Sequence, residues 1–129
     1  MTRAAAFVSA VVLAHLAVNI VHGAAHTQLQ IALEGGDLVF VLGVIFAAPL
    51  VAMALVWSRY RRVGLIVLIA SMTGALAFGV HHHFIAASAD LVSRQPTGLW
   101  GSTFGVTSYL LAITEAIGVA TGVYFLSLM

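Results

Sequence analysis

The chain has 129 residues, of which 62% are hydrophobic and 7% charged. A soluble domain carries about 25% charged residues to coat its surface, so five Arg and four acids are too few to cover a water-facing globule. A formal net charge of +1 gives no basic face for nucleic acid, and the absence of Cys excludes disulfides, thiolate metal sites and thiol catalysis.

Lipid is therefore the expected solvent. The expected fold is an all-α integral membrane protein, a single-domain four-helix up-down bundle. A spanning helix needs about 20 mostly apolar residues, and four stretches qualify.

The first is predicted over residues 4–33. It has the Arg, apolar run and Ala-rich exit of a signal peptide. It also carries a polar stripe that a disposable leader does not need, so it is read as a retained helix. His15, His22 and His26 follow one another at spacings of seven and four, which return to one face of an α-helix. Asn19 lies close to that stripe and Gln30 extends it. Gly35 and Gly36 are expected to break the helix, and Asp37 to cap the next one.

The second helix is predicted over 37–58, with a kink at Pro49. The third is predicted over 63–83, where Ser71, Gly74, Ala75 and Gly79 suggest a close-packed face. It ends in His81, His82 and His83, which point about 100° apart in succession and so cannot all face inward. His81 and His82 lie near the extension of the Ser71 and Gly74 rows and are expected inside. His83 points furthest from those rows, toward water or a headgroup.

The connection 84–102 holds Asp90, Arg94, Gln95 and Pro96. It is read either as a plain loop or as an interfacial helix around residues 85–92 lying over the histidines as a lid. The fourth helix, 103–128, carries Glu115 near its middle. A charged residue facing lipid there costs at least about 2.5 kcal/mol, so Glu115 is expected to face the bundle. Gly118 and Gly122 form a small-residue step that suits a homo-oligomer contact.

Arg3, Arg59, Arg61 and Arg62 fall on one side of such a bundle, which the positive-inside rule makes the cytoplasm, with both termini there. Trp57, Tyr60 and Tyr124 would then mark the inner interface and Trp100 the outer one. A prokaryotic cytoplasmic membrane is the expected location.

Depth along the helices sorts the polar groups into two layers. By helix rise, His22 and His81 come out roughly 27 Å above the Arg-bearing end, and His26 and Asp37 roughly 31–33 Å. His15 and Glu115 come out lower, roughly 16–20 Å up. The expected outer layer holds His22, His26, Asp37 and His81 or His82; the central layer holds His15, Asn19 and Glu115. Imidazole and carboxylate are ligands for Zn, Cu and Fe, so these residues are the candidate metal ligands. Haem b held between His22 and His81 ranks close beside a bare ion.

The His22–His26 pair and the His81–His83 run resemble the histidine boxes of membrane di-iron hydroxylases and desaturases. The likeness covers two short boxes, and the full histidine set of those enzymes is not present. Histidines in the first and third of four helices also resemble the layout of one half of a haem A synthase, without the surrounding motifs of that family.

The expected function is a small membrane metalloprotein carrying out electron transfer or redox chemistry on a lipid-soluble substrate such as a quinone, with Glu115 as the catalytic candidate. A proton or metal-ion transporter and a structural subunit of a larger membrane complex are the alternatives.

Overall fold

The computed structural model describes residues 3–129, and among them the chain is helical with no strand. Four helices are long and apolar enough to cross a membrane: α1 (Arg3–Gln28), α2 (Gly35–Val56), α3 (Arg61–Ile85) and α4 (Leu99–Ser127). Their outward faces carry large apolar side chains, among them Phe7, Ile20, Val51, Ile66, Val106 and Ile113. α4 packs on both α1 and α3, and α2 packs on α3. α1 meets α2 mainly along its Ala48–Val56 half.

The interior is divided by chemistry. Near the Arg-bearing end, Ala5, Val8, Val12, Ala52, Val56, Leu65, Leu68 and Met72 form one buried apolar cluster. Toward the other end the buried residues turn polar: His15, Asn19, His22, His26, His83, Thr107, Ser108 and Glu115.

Three helix ends differ from the sequence expectation, and each has a local cause. α1 stops at Gln28, before the glycine pair, because Gln30 adopts a left-handed φ of 57°. The Ile31 N–H bonds to the His26 carbonyl at 2.9 Å and the Gln30 N–H to Thr27 at 3.2 Å, a Schellman termination. Gly35, at φ 56°, then makes the turn into α2. Asp37 does not cap α2; it lies exposed within the first turn, and Glu34 takes the N-cap position. α4 begins at Leu99, ahead of the expected residue 103, so the connection from α3 is correspondingly shorter.

Pro49 is accommodated by widening the helix. It has no N–H to offer the Ile45 carbonyl, and the turn before it slips to bonds five residues apart, with the Ala48 N–H on the Gly43 carbonyl. Val41–Ala47 is consequently π-helical. A second π-helical segment, His81–Ile85, closes α3, with the Ala86 N–H on the His81 carbonyl at 2.7 Å.

Gly118 and Gly122 are buried within the chain itself. An added Cβ on Gly118 would lie 2.8 Å from Met72 Cγ, and one on Gly122 would lie 2.6 Å from Ile69 Cγ1. These glycines let α4 approach α3 closely, so this step is not a free face for a second copy.

Candidate metal centre

The three histidines that converge are His22, His26 and His83. One ligand nitrogen from each lies within 4.8 Å of the others, and all three residues are buried. His81 is exposed, and His82 is half-buried against Phe78, with ring centroids 4.2 Å apart. The expectation that His81 and His82 face inward and His83 outward is thus reversed. The π-helical turn is the reason: a wider turn advances less per residue than an α-helix, which holds His83 back on the Gly79 side of α3. Residues 81–83 look identical in sequence; only the change of helix type separates them.

The hydrogen bonds fix the tautomers of His26 and His83. His26 Nδ1 lies 3.2 Å from the Ile31 carbonyl oxygen, and His83 Nδ1 lies 3.3 Å from that of Asp90. Carbonyl oxygens only accept, so both Nδ1 atoms carry hydrogen. His22 Nδ1 lies 2.8 Å from Thr107 Oγ1. The same hydroxyl lies 2.6 Å from the Thr103 carbonyl, and its single hydrogen serves either that oxygen or His22 Nδ1. In His26 and His83 Nδ1 is the donor and Nε2 holds the lone pair. Outer partners of this kind orient the histidines of metal sites.

His22 Nε2 and His26 Nε2 face each other at 3.2 Å. At that distance His22 Nε2–H donates to the His26 lone pair, and with that hydrogen removed the two nitrogens are placed to share a cation. Two nitrogens at about 2.05 Å from a tetrahedral ion are themselves about 3.3 Å apart, close to the spacing found. A carboxylate lies beside the group: Asp90 Oδ1 is 3.6 Å from His26 Nε2 and is buried with no hydrogen-bond partner. An orphaned buried carboxylate oxygen calls for an explanation, and a fourth ligand position supplies one. Phe104 closes one side, its ring centroid 4.7, 5.1 and 5.3 Å from those of His22, His26 and His83.

Asp90 takes the place expected of Asp37, which is exposed and outside this group. The segment after α3 covers the histidines as non-helical chain over 86–91 and not as the expected interfacial helix, and it is tied down by the Asp90 carbonyl on His83 and by Gln95 Nε2 donating to the Ala89 carbonyl at 2.7 Å. Periodicity could not have found Asp90, because it lies outside every helix. The available signal was its being the one acid in that connection.

The central group stands apart. His15 Nε2 lies 3.2 Å from Glu115 Oε1, and Asn19 Nδ2 lies 3.0 Å from the His15 carbonyl. This pair joins α1 to α4 in the buried interior and is not among the residues that converge on the three-histidine cluster. His22 and His81 do not face one another, so the bis-imidazole haem arrangement has no seat here.

A cavity of about 220 Å³ runs between the two groups. His22, His26, His83 and Asp90 line one part, Asn19, Ser108 and Glu115 another, and Leu38, Val41, Leu42, Ile45 and Phe46 of α2 form an apolar wall. Both π-helical segments contribute to its lining.

Comparison with protein-family models, curated proteins and solved structures gives no match. The chemistry of the site therefore rests on its own geometry.

The outer partners make one prediction here. Thr107→Val keeps the shape of the side chain and removes the hydroxyl that bonds His22 Nδ1. Loss of such a partner costs about 10–100-fold in metal affinity, and competition titration with a chromophoric chelator would read it. An unchanged affinity would show that Thr107 does not orient His22.

Proposed function

We propose that this protein is a membrane-embedded metalloprotein that binds one transition-metal ion through His22, His26, His83 and Asp90. The Arg-bearing end faces the cytoplasm by the positive-inside rule, which puts the centre in the extracytoplasmic half of the bundle. The observation that carries the reading is the convergence of three buried histidine ligand nitrogens within 4.8 Å of one another, beside an unpartnered buried carboxylate oxygen.

Three imidazoles and a carboxylate suit Zn, Fe or Cu. Iron or copper there would supply redox chemistry to a lipid-soluble substrate; zinc would supply a Lewis acid. The chain's own contribution is to orient the rings, keep the ligands out of bulk water and leave one side open to the cavity.

Elemental analysis and an optical spectrum of the purified protein test this. One ion per chain with no Soret band is the expected result. Protein free of transition metal after purification, and unable to take up added Zn²⁺, Fe²⁺ or Cu²⁺, would overturn it.

A second reading draws support from the His15–Glu115 contact at 3.2 Å inside the bundle. Buried His, Asn and Glu form proton paths in membrane proteins, and this group adjoins the same cavity. On that reading, proton flux into liposomes carrying the protein drops in Glu115→Gln. Flux equal to that of the unaltered protein would remove it.

A further inference from the structure

The cavity between the two polar groups has its own shape and chemistry. A cavity of about 150 Å³ lined by apolar side chains takes up benzene, so one of about 220 Å³ has room for a single substituted ring. Its α2 wall is wholly apolar, while polar groups stand at separate places on the rest of its lining. Glu115 uses Oε1 on His15, and Oε2 has no hydrogen-bond partner among the described residues.

Gly79 keeps the space between those places clear. A Cβ on Gly79 would lie 3.8 Å from His83 Cδ2 and 3.9 Å from Glu115 Oε2, so it would stand between the centre and the carboxyl group. Nothing in the backbone requires glycine here, since Gly79 is an ordinary α-helical residue. Leu38 and Leu42 line the cavity and are also 40% and 56% exposed on the outside of the bundle. They mark a mouth on the apolar outer surface. The Gly35–Phe40 part of α2 beside it has no buried residue, so this wall is weakly held.

We infer that the cavity is a binding site for the oxygen-bearing ring of a membrane-dissolved lipophile of the phenol or quinone class. The ring enters past Leu38 and Leu42 and lies against Val41, Ile45 and Phe46. One oxygen turns toward the His22–His26–His83–Asp90 centre and another toward Glu115 Oε2. Gly79 is the positioning residue that leaves room for it. This inference deepens the metalloprotein reading and rests on the centre lying at that end of the cavity.

The test measures binding of tetramethyl-1,4-benzoquinone and its quinol to the metal-loaded protein in detergent by titration calorimetry, with metal content read on the same samples. The quinone or quinol is expected to bind at one site per chain, more tightly than benzene. Gly79→Ala is expected to weaken it by about tenfold, since one methylene in an apolar pocket is worth about 10–200-fold. Gly79→Leu should abolish binding. Metal content should stay at the unaltered level in Gly79→Ala.

The Ala variant meets its neighbours at ordinary contact distance, which guards against a folding failure. Ile45→Trp blocks the cavity from the opposite wall and should give the same loss. Two results would overturn the inference while leaving the metal reading intact: metal-loaded protein that binds neither ring, or Gly79 and Ile45 variants with unchanged quinone affinity. Binding of benzene as tight as quinone and quinol, with no effect of Glu115→Leu, would overturn the assigned ligand class. Protein without metal, and with none taken up, would instead overturn the reading of the centre.

Discussion

The His22→Ala variant loses its metal, with affinity falling by more than about 100-fold, since even an outer partner is worth 10–100-fold. His22 holds the middle of the group: its ring centroid is 4.8 Å from those of both His26 and His83. Its removal leaves the two remaining nitrogens without the one that faces His26 at 3.2 Å. His83→Ala should lose metal comparably, and Asp90→Asn should weaken binding without rearranging the rings. His81→Ala and His82→Ala should retain the ion, because neither side chain is part of the group. Metal-to-protein ratios after dialysis read all five variants. Loss in His82→Ala with retention in His83→Ala would mean that α3 ends as a regular α-helix and that the centre described above is wrong.

The second large effect is on stability. His15→Leu is expected to destabilise the bundle by about 2 kcal/mol, within the 1–3 kcal/mol that follows removal of a buried group's hydrogen-bond partner. Glu115 is then left buried without the hydrogen bond from His15. Replacing both members by apolar residues of similar volume is often neutral or stabilising. The double variant His15→Leu, Glu115→Leu should accordingly recover most of the loss. Unfolding of the purified protein in mixed micelles, followed by circular dichroism, measures the cycle. A double variant less stable than either single one would show that the pair does more than neutralise itself.

Much of the architecture was legible because lipid imposes a simple rule. A backbone in hydrocarbon must satisfy its own hydrogen bonds, so runs of about 20 apolar residues read directly as helices, and α1 to α4 follow those runs. The stripe on α1 was legible for the same reason: spacings of seven and four put His15, His22 and His26 on one buried face. Depth counting also placed Glu115 level with His15, and the two are in contact.

The partners from outside α1 were not legible in this way. Helical periodicity assumes one period throughout, and the π-helical turn at His81–Ile85 changes it at the residues that decide the ligand. A uniform α-helix selects His82, whereas the wider turn selects His83. Asp90 was missed because non-helical chain has no period to read, and its place depends on the path between Ala86 and Gly98. Gly118 and Gly122 show a related ambiguity. A small-residue step permits close approach of a helix, but it does not say whether that helix belongs to the same chain.

X-ray absorption at the edge of the metal that copurifies would test the four-ligand centre most directly. The centre described here predicts four nitrogen or oxygen neighbours at about 2.0–2.1 Å, with the outer-shell scattering of three imidazoles. An absorption edge whose surroundings hold one imidazole or none, or the signature of a porphyrin, would contradict it.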